Sequence, residues 1–388
     1  MNKVVIIGGG AAGCAAAHAL KDSKNDYEVT LIDVASELGA GVRTYFKGGH
    51  PYTFGPRHFF TKNERIYSYL NSKIPLYDCG HHQFITYVES DGEFYHYPVN
   101  YEDIPRMPDS KEIYKELDER KSIEDFEDFE DYWIKSIGPT LYRKFIKSYN
   151  QKMWQLHSNK QFDTFKWSPK TDPISKKKQA LYDFNSAYPE AIDGYNDFFD
   201  QIYDFTSVRL NTKVDSIDWD RNLINIGLEQ IQYDFLLITV SPDIFFNFEH
   251  GMLPYIGRDI TQIVLPTEFA FPKDVFFTYY AGSETYTRIV EYKKFSRYKS
   301  NSTLIGLEIP SNNGRHYPLP IKREMELARK YQDQVPDNVR FSGRAGSYRY
   351  MVDIDDCIEQ GLEFAKWLDE GASYEGHSVL LKRCTEFA

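Results

Sequence analysis

The stretch Val4-Val5-Ile6-Ile7-Gly8-Gly9-Gly10-Ala11-Ala12-Gly13-Cys14-Ala15-Ala16-Ala17 decides the fold of this chain. Val4–Ile7 reads as a short buried strand, Gly8–Gly13 as a GxGxxG turn, and the alanine-rich Ala11–Lys21 as a helix. Val29–Ile32 reads as a second strand that ends at Asp33, twenty residues after Gly13. Strand, glycine turn, helix, strand and acid together form the complete dinucleotide-binding fingerprint. Gly8 allows the tight turn, Gly10 lets the backbone approach a pyrophosphate, and Gly13 permits close helix–strand packing, with Ala12 in the same turn. The phosphates then sit at a helix N-terminus, where free N–H groups and the dipole favour anions. Asp33 can accept a hydrogen bond from a ribose hydroxyl. A fortuitous glycine-rich turn is the competing reading, and the presence of every part weighs against it.

Moving outward, Glu37-Leu38-Gly39-Ala40-Gly41-Val42-Arg43-Thr44 resembles the Arg-x-Gly-Gly-Arg-x-x-Thr segment of many FAD proteins. The leading Arg is absent and Ala40 separates the glycines. NAD dehydrogenases lack such a segment, so the expected dinucleotide is FAD, with Gly41 and Val42 near its pyrophosphate. No second GxGxxG occurs, so no second nucleotide unit for NAD(P)H is expected.

Composition narrows the function classes. Of 388 residues, 16% are aromatic, including 30 Tyr and 27 Phe. Tyrosine stacks on flat rings and hydrogen-bonds at its tip, which suits sites for sugars, nucleobases or flavins, although a low-GC genome gives the same excess. The net charge of −11 demotes a nucleic-acid binder. Cys14, Cys79, Cys357 and Cys384 form no CxxC pair and no zinc spacing, so no metal site is expected. Free thiols suit a cytoplasmic location. No run reaches the roughly eighteen apolar residues of a membrane span.

The expected fold class is α/β: a discontinuous Rossmann-like FAD-binding domain with a helical insert and an antiparallel β-sheet domain. Residues 1–75 form its first part and 76–99 a β-sheet segment. Residues 100–202 form a helical domain, with helical patterns over Ser110–Ser136 and Gly138–Leu156 and a mobile loop at about 162–186. Residues 203–245 return to the FAD-binding unit through short strands. Residues 246–334 form the antiparallel substrate sheet, and 335–388 complete the FAD-binding unit with the strand Val339–Phe341 and a helix over Asp355–Glu370.

Several blocks, in order, resemble UDP-galactopyranose mutases. Phe54-Gly55-Pro56-Arg57-His58-Phe59-Phe60-Thr61 is similar to their Gly-Pro-His-Ile-Phe-His-Thr segment, and Tyr149-Asn150-Gln151-Lys152-Met153-Trp154 to Tyr-Thr-x-Lys-Gln-Trp. Asp193-Gly194-Tyr195 resembles their Gly-Tyr. Tyr286-Thr287-Arg288-Ile289-Val290-Glu291-Tyr292-Lys293-Lys294-Phe295 is similar to Tyr-Thr-Arg-Ile-x-Glu-His-Lys-His-Phe, the most specific piece. Glu308-Ile309-Pro310, His316-Tyr317-Pro318, Gly343-Arg344 and Tyr348-Arg349-Tyr350 resemble Glu-Tyr-Pro, Tyr-Tyr-Pro, the closing Gly-Arg and Tyr-x-Tyr. The likeness spans nearly the whole chain.

The resemblance implies an isomerase that works with reduced FAD. The flavin N5 attacks the anomeric carbon of a nucleotide-diphosphate sugar and expels the nucleoside diphosphate. The sugar recloses from pyranose to furanose, and the nucleotide returns. It also implies a role in surface polysaccharide synthesis, an external reductant such as NAD(P)H or a flavin reductase, and a homodimer. Arg288 is the expected diphosphate anchor, since Arg meets phosphate oxygens with a bidentate fork; the alternative is an ion pair with Glu291. Tyr317 and Tyr350 add phosphate hydrogen bonds. Tyr149, with Phe145 and Trp154, lines the base site, or else these are helix core, since Phe145, Tyr149 and Met153 lie four apart. Glu308 orients sugar hydroxyls, unless it is an edge-strand surface charge. Arg344 contacts the flavin, unless it is a surface Arg, and Asp355 at the start of the last helix contacts it too. Arg57 and His58 face the flavin and the sugar, where a cation can stabilise a reduced flavin or read a C2 substituent, the alternative for Arg57 being a structural ion pair.

Two blocks depart from the family. Its mobile loop carries a clamping Arg, but the counterpart here is Trp167-Ser168-Pro169-Lys170-Thr171. Lys170 or the Lys176–Lys178 run is the candidate replacement, though Lys is a point charge rather than a fork. Tyr350-Met351-Val352-Asp353 carries one extra residue before the acid that would contact the sugar. A deoxyhexose, N-acetylhexosamine or heptose nucleotide therefore stands beside UDP-galactose. The competing readings are a redox flavoenzyme of the amine-oxidase type and a non-catalytic flavin-binding protein.

Overall fold

Asn2–Ile7 lies at the centre of a five-stranded sheet, flanked by Tyr27–Ile32 and by Phe235–Ile238. Ser207–Arg209 and Val339–Phe341 complete its edges, and every pairing is parallel. A parallel sheet is covered on both faces, so its strands read as near-continuous apolar runs; Val4, Ile6 and Leu236 are fully buried. This computed structural model describes residues 1–120, 126–162, 173–178 and 183–372.

Helix Ala11–Lys21 follows the central strand, and Ile354–Asp369 packs beside it. The contact is close because the facing residues are small. A side chain at Gly361 would lie 2.7 Å from the Ala15 carbonyl carbon. A three-stranded antiparallel meander, Ser216–Asp218, Leu223–Ile226 and Glu229–Gln232, lies between two strands of the parallel sheet.

The second layer is a seven-stranded sheet, in the order Tyr317–Pro318, Tyr255–Leu265, Thr303–Ser311, Arg288–Glu291, Val275–Tyr280, Gln83–Val88 and Glu93–Tyr97. It is antiparallel except where Val275–Tyr280 runs parallel to Gln83–Val88. Residues 83–97 thus extend the sheet formed by 255–318. Glu308, Arg288, Tyr279 and Thr86 are successive register partners across four strands. Directly opposed residues share a face, so these side chains form one row.

The charged segment 110–136 contains two helices, Ser110–Asp118 and Phe129–Ile137. The 138–156 pattern is a helical run: a short turn at Pro139–Leu141, a π-helical turn at Tyr142–Lys147, and Ser148–Trp154. Lys170 and most of the expected loop fall outside the described residues. Of that loop, Ile174–Ser175 pairs in parallel with Val99–Asn100.

Candidate active site

The glycine turn opens a cleft between two helix N-termini. Gly8, at φ +105°, is in the left-handed region that the turn requires. A Cβ on Gly10 would meet only Ala40 Cβ, at 3.6 Å, so this face is open to a ligand. A Cβ on Gly13 would lie 1.9 Å from the Gly8 carbonyl oxygen. Gly13 therefore packs helix on strand and does not line the cleft, whereas Gly8, Gly10, Ala12, Asp33, Gly41, Val42, His58, Arg344 and Asp355 do. Asp33 accepts from Gly9 N at 2.5 Å and Ala35 N at 2.7 Å, so it braces the turn while facing the cleft. Glycine cradle, helix N-termini and acid fit a dinucleotide with its pyrophosphate at Gly10.

The cleft continues into a second cavity under the seven-stranded sheet. Pro56, Arg57, His58, Phe60, Arg344 and Asp353 line both, so the two are contiguous. Arg258, Arg288, Glu308, Tyr279, Tyr149, Tyr317 and Tyr350 line the second cavity.

Four guanidiniums converge here. Arg288 donates to Glu308 Oε2 at 2.6 Å, and its Cζ lies 5.2 Å from the Phe277 ring centroid. The ion pair is with Glu308, its register partner, not with Glu291. Glu291 is instead buried, accepting from Ala270 N, Phe271 N and Thr303 Oγ1. Nor is Glu308 an edge-strand surface charge: its strand is interior to the sheet and it is only 2% exposed. Burial alone would weaken the Arg288 charge, but Glu308 and Tyr279 hold it protonated well above the usual arginine range. Arg344 donates to Val352 O at 3.0 Å and Asp353 Oδ1 at 2.8 Å. Asp353 also caps the helix Ile354–Asp369 in a box with Asp356. Its expected sugar contact therefore competes with two structural tasks. Arg57 donates to Gly41 O at 3.3 Å. Arg258 donates to Gly257 O at 2.8 Å and to Met153 Sδ. Among the described residues neither Arg57 nor Arg258 has a carboxylate partner, so the cluster keeps an uncompensated positive charge.

Tyr317 stands within this cluster, its ring 4.7 Å from Arg258 Cζ and 5.1 Å from Arg344 Cζ. Burial alone would raise its phenol. Arg57 and Arg258, joined by Arg344 against Glu308, outweigh burial and bring it down to about 8. Tyr149, by contrast, is pushed well above the ordinary value by burial and Tyr279. Tyr350 packs edge-on against Tyr317 at 5.6 Å.

Phe145 and Trp154 do not reach the main cavity. Trp154 is buried edge-on against Tyr350 at 4.8 Å and Phe162 at 5.8 Å. Phe145 packs against Tyr95 at 6.0 Å and, with Tyr149, borders only a small side cavity. The wider π turn at 142–147 breaks the four-residue spacing, so Tyr149 and Met153 face the site while Phe145 joins the core. His58 is buried in an aromatic set, stacked on Phe295 at 5.2 Å. Lys176 lies over the Tyr101 ring and Lys178 pairs with Glu102, so neither lines the cavity.

Sequence reasoning missed Arg258 and Tyr279 in the second cavity and His316, which lines the glycine cleft. Alternation along Val275–Tyr280 puts Phe277 and Tyr279 on one face, a readable signal. Arg258 had none, being a lone cation beside Gly257, whose added Cβ would lie 1.7 Å from Asn313 O.

A flavin-type Rossmann cleft that opens onto an arginine-lined cavity fits an enzyme class with a dinucleotide site beside a site of positive charge. Residues 144–350 match the family model for UDP-galactopyranose mutase, and residues 6–72 match an NAD(P)-binding Rossmann-like domain. The chain belongs to the UDP-galactopyranose mutase family and is an isomerase. It is 25% identical to the dTDP-fucopyranose mutase of Escherichia coli over 94% of this chain and 98% of that one. It is 24% identical to a probable UDP-galactopyranose mutase of Klebsiella pneumoniae over 94% of each. A crystal structure of reduced UDP-galactopyranose mutase superposes with a TM-score of 0.81 at 17% identity, covering 98% of this chain and 97% of that chain. Putrescine oxidase shares the fold at a TM-score of 0.60 and 12% identity, over 95% of this chain and 98% of that one. The amine-oxidase reading thus reduces to a common fold. Among the described residues no helix is long and apolar enough to cross a membrane.

Proposed function

We propose that this protein interconverts the pyranose and furanose forms of a nucleotide-diphosphate sugar, with reduced FAD in the glycine cleft. The observation that carries this reading is the continuity of that cleft with the four-arginine cavity through Arg57, His58, Phe60 and Arg344. When bound and reduced, FAD supplies its N5 as the nucleophile toward the anomeric carbon. Gly8, Gly10 and Ala12 would hold the pyrophosphate of the cofactor, and Asp33 its ribose.

Arg288, Arg258 and Tyr317 would anchor the diphosphate, whose negative charge matches the uncompensated positive charge of the cluster. Holding the nucleotide there keeps the leaving group ready to return. Among the described residues one Glu308 carboxylate oxygen, Oε1, has no hydrogen-bond partner, and it would accept a sugar hydroxyl. Arg57 would face the flavin and the sugar together, His58 and Phe60 would wall off water, and Arg344 would border the flavin. Tyr149 would cover the base. A dTDP-fucopyranose and a UDP-galactopyranose are the substrates that the relatives' names indicate. The same reading includes an external electron donor such as NAD(P)H or a flavin reductase, a cytoplasmic location, a homodimer and a role in surface polysaccharide synthesis.

The test is anaerobic. Dithionite-reduced protein is mixed with UDP-galactose, dTDP-fucose and UDP-N-acetylgalactosamine, and the furanose products are resolved by chromatography. Furanose formation without oxygen consumption is expected. Substrate-dependent peroxide release without isomerisation would overturn the proposal.

A further inference from the structure

The two arms of the hairpin Val275–Tyr280 and Arg288–Glu291 carry Tyr279 and Arg288 as register partners. The loop between them is gripped by two charged side chains from different elements. From the helix Ser148–Trp154, Lys152 Nζ donates to Tyr280 O at 3.0 Å and Gly282 O at 3.1 Å, with Glu284 Oε2 at 3.5 Å. From the end of the strand Gln83–Val88, Glu89 accepts from Ser283 N at 2.7 Å and Ser283 Oγ at 2.6 Å. The ammonium thus takes the loop carbonyls and the carboxylate takes a loop N–H. The approach is tight, since a Cβ on Gly282 would lie 2.4 Å from Glu89 Oε2. One turn before Lys152, Tyr149 meets Tyr279 edge-on at 5.7 Å.

We infer that Lys152 is a positioning residue: it sets the spacing between the helix that presents Tyr149 and the hairpin that presents Tyr279 and Arg288, and so matches base contact to diphosphate contact. This rests on the nucleotide-sugar reading above. Lys152 does not line the cavity and acts through these neighbours. Hydrogen bonds from a charged donor are the stronger kind, and this donor is only 14% exposed. Loosening the clasp therefore affects ligands that span both elements more than ligands that touch only the arginines.

The test uses the full chain and calorimetric binding of UDP, dTDP and inorganic pyrophosphate, alongside cofactor content and thermal melting. Lys152→Met keeps the apolar stem and removes the donor. UDP or dTDP binding is expected to weaken about tenfold while pyrophosphate binding changes less than threefold. KM should rise more than kcat falls, and Lys152→Arg should recover most of the loss. Glu89→Gln loosens the second clasp contact without burying a lone charge, and a smaller loss of the same kind is expected. If Lys152→Met does not fold, the Glu89→Gln result decides. Equal losses for nucleotide and pyrophosphate, or no loss in a folded variant, overturn the positioning role. Failure of wild-type protein to bind either nucleotide overturns the nucleotide-sugar reading and the inference with it.

Discussion

Glu308 and Arg288 face each other directly across adjacent strands, 2.6 Å apart, inside a cavity where three other arginines converge. The carboxylate neutralises the guanidinium that would bind diphosphate, and among the described residues its Oε1 has no hydrogen-bond partner. On the proposed reading, diphosphate binding and sugar contact would therefore be coupled through one ion pair. Glu308→Gln frees charge on Arg288 and removes the stronger acceptor. UDP affinity should rise severalfold, while turnover of the reduced enzyme falls at least tenfold. Calorimetry and product chromatography check both, and weaker UDP binding by this variant would contradict the coupling.

On the proposed reading, Tyr317 would make nucleotide binding pH-dependent. Its phenol sits at about 8 under the influence of Arg57, Arg258 and Arg344. Below that pH it is neutral and can donate to a phosphate. Above it a phenolate occupies the arginine cluster and opposes an anion. The Kd for UDP should increase up to tenfold per pH unit above 8, and the slope should vanish in Tyr317→Phe. A wild-type Kd that is flat between pH 7 and about 9.5 would refute this assignment.

Gly10 and Gly13 should fail in different ways. A side chain at Gly10 points into the open cleft, so Gly10→Val should fold but carry less than a tenth of the wild-type flavin by absorbance. At Gly13 the added carbon meets the fixed Gly8 carbonyl at 1.9 Å, so Gly13→Ala should lose stability itself, by roughly 2 kcal/mol or more. Denaturant melts of the flavin-free proteins separate the two effects.

Phe145 and Tyr149, one turn apart, should separate core from site. Phe145→Leu is expected to cost about 1 kcal/mol of stability and leave UDP affinity within twofold. Tyr149→Leu is expected to weaken UDP binding about tenfold. Urea melts and calorimetry on the same samples give both readings. Equal effects on binding would restore Phe145 to the site.

Much of this was written locally. The Gly8–Gly13 turn, the strand before it and the acid after it lie within thirty-odd residues, and their geometry follows from short-range steric rules. Arg288 was legible because its neighbours form a dense motif. The partner of Arg288 was not legible, because Glu308 lies twenty residues away and only the strand register sets them opposite. Arg258 was invisible for a similar reason, since its strand meets Tyr317 through pairing at Ile256. Helical spacing misled at Phe145, where a π turn shifts the face that the i, i+4 rule assigns.

The sequence by itself determined the dinucleotide cradle, the order of α and β segments, and the family blocks that mark the substrate side. These depend on backbone preference and on side-chain type at fixed spacing. Tertiary structure alone decided which charges meet. Sheet register paired Arg288 with Glu308, helix capping engaged Asp353, and three arginines from distant segments came to surround Tyr317 and lower its phenol. Such pairings depend on distances of a few ångströms in a medium that screens poorly, and no spacing along the chain encodes them.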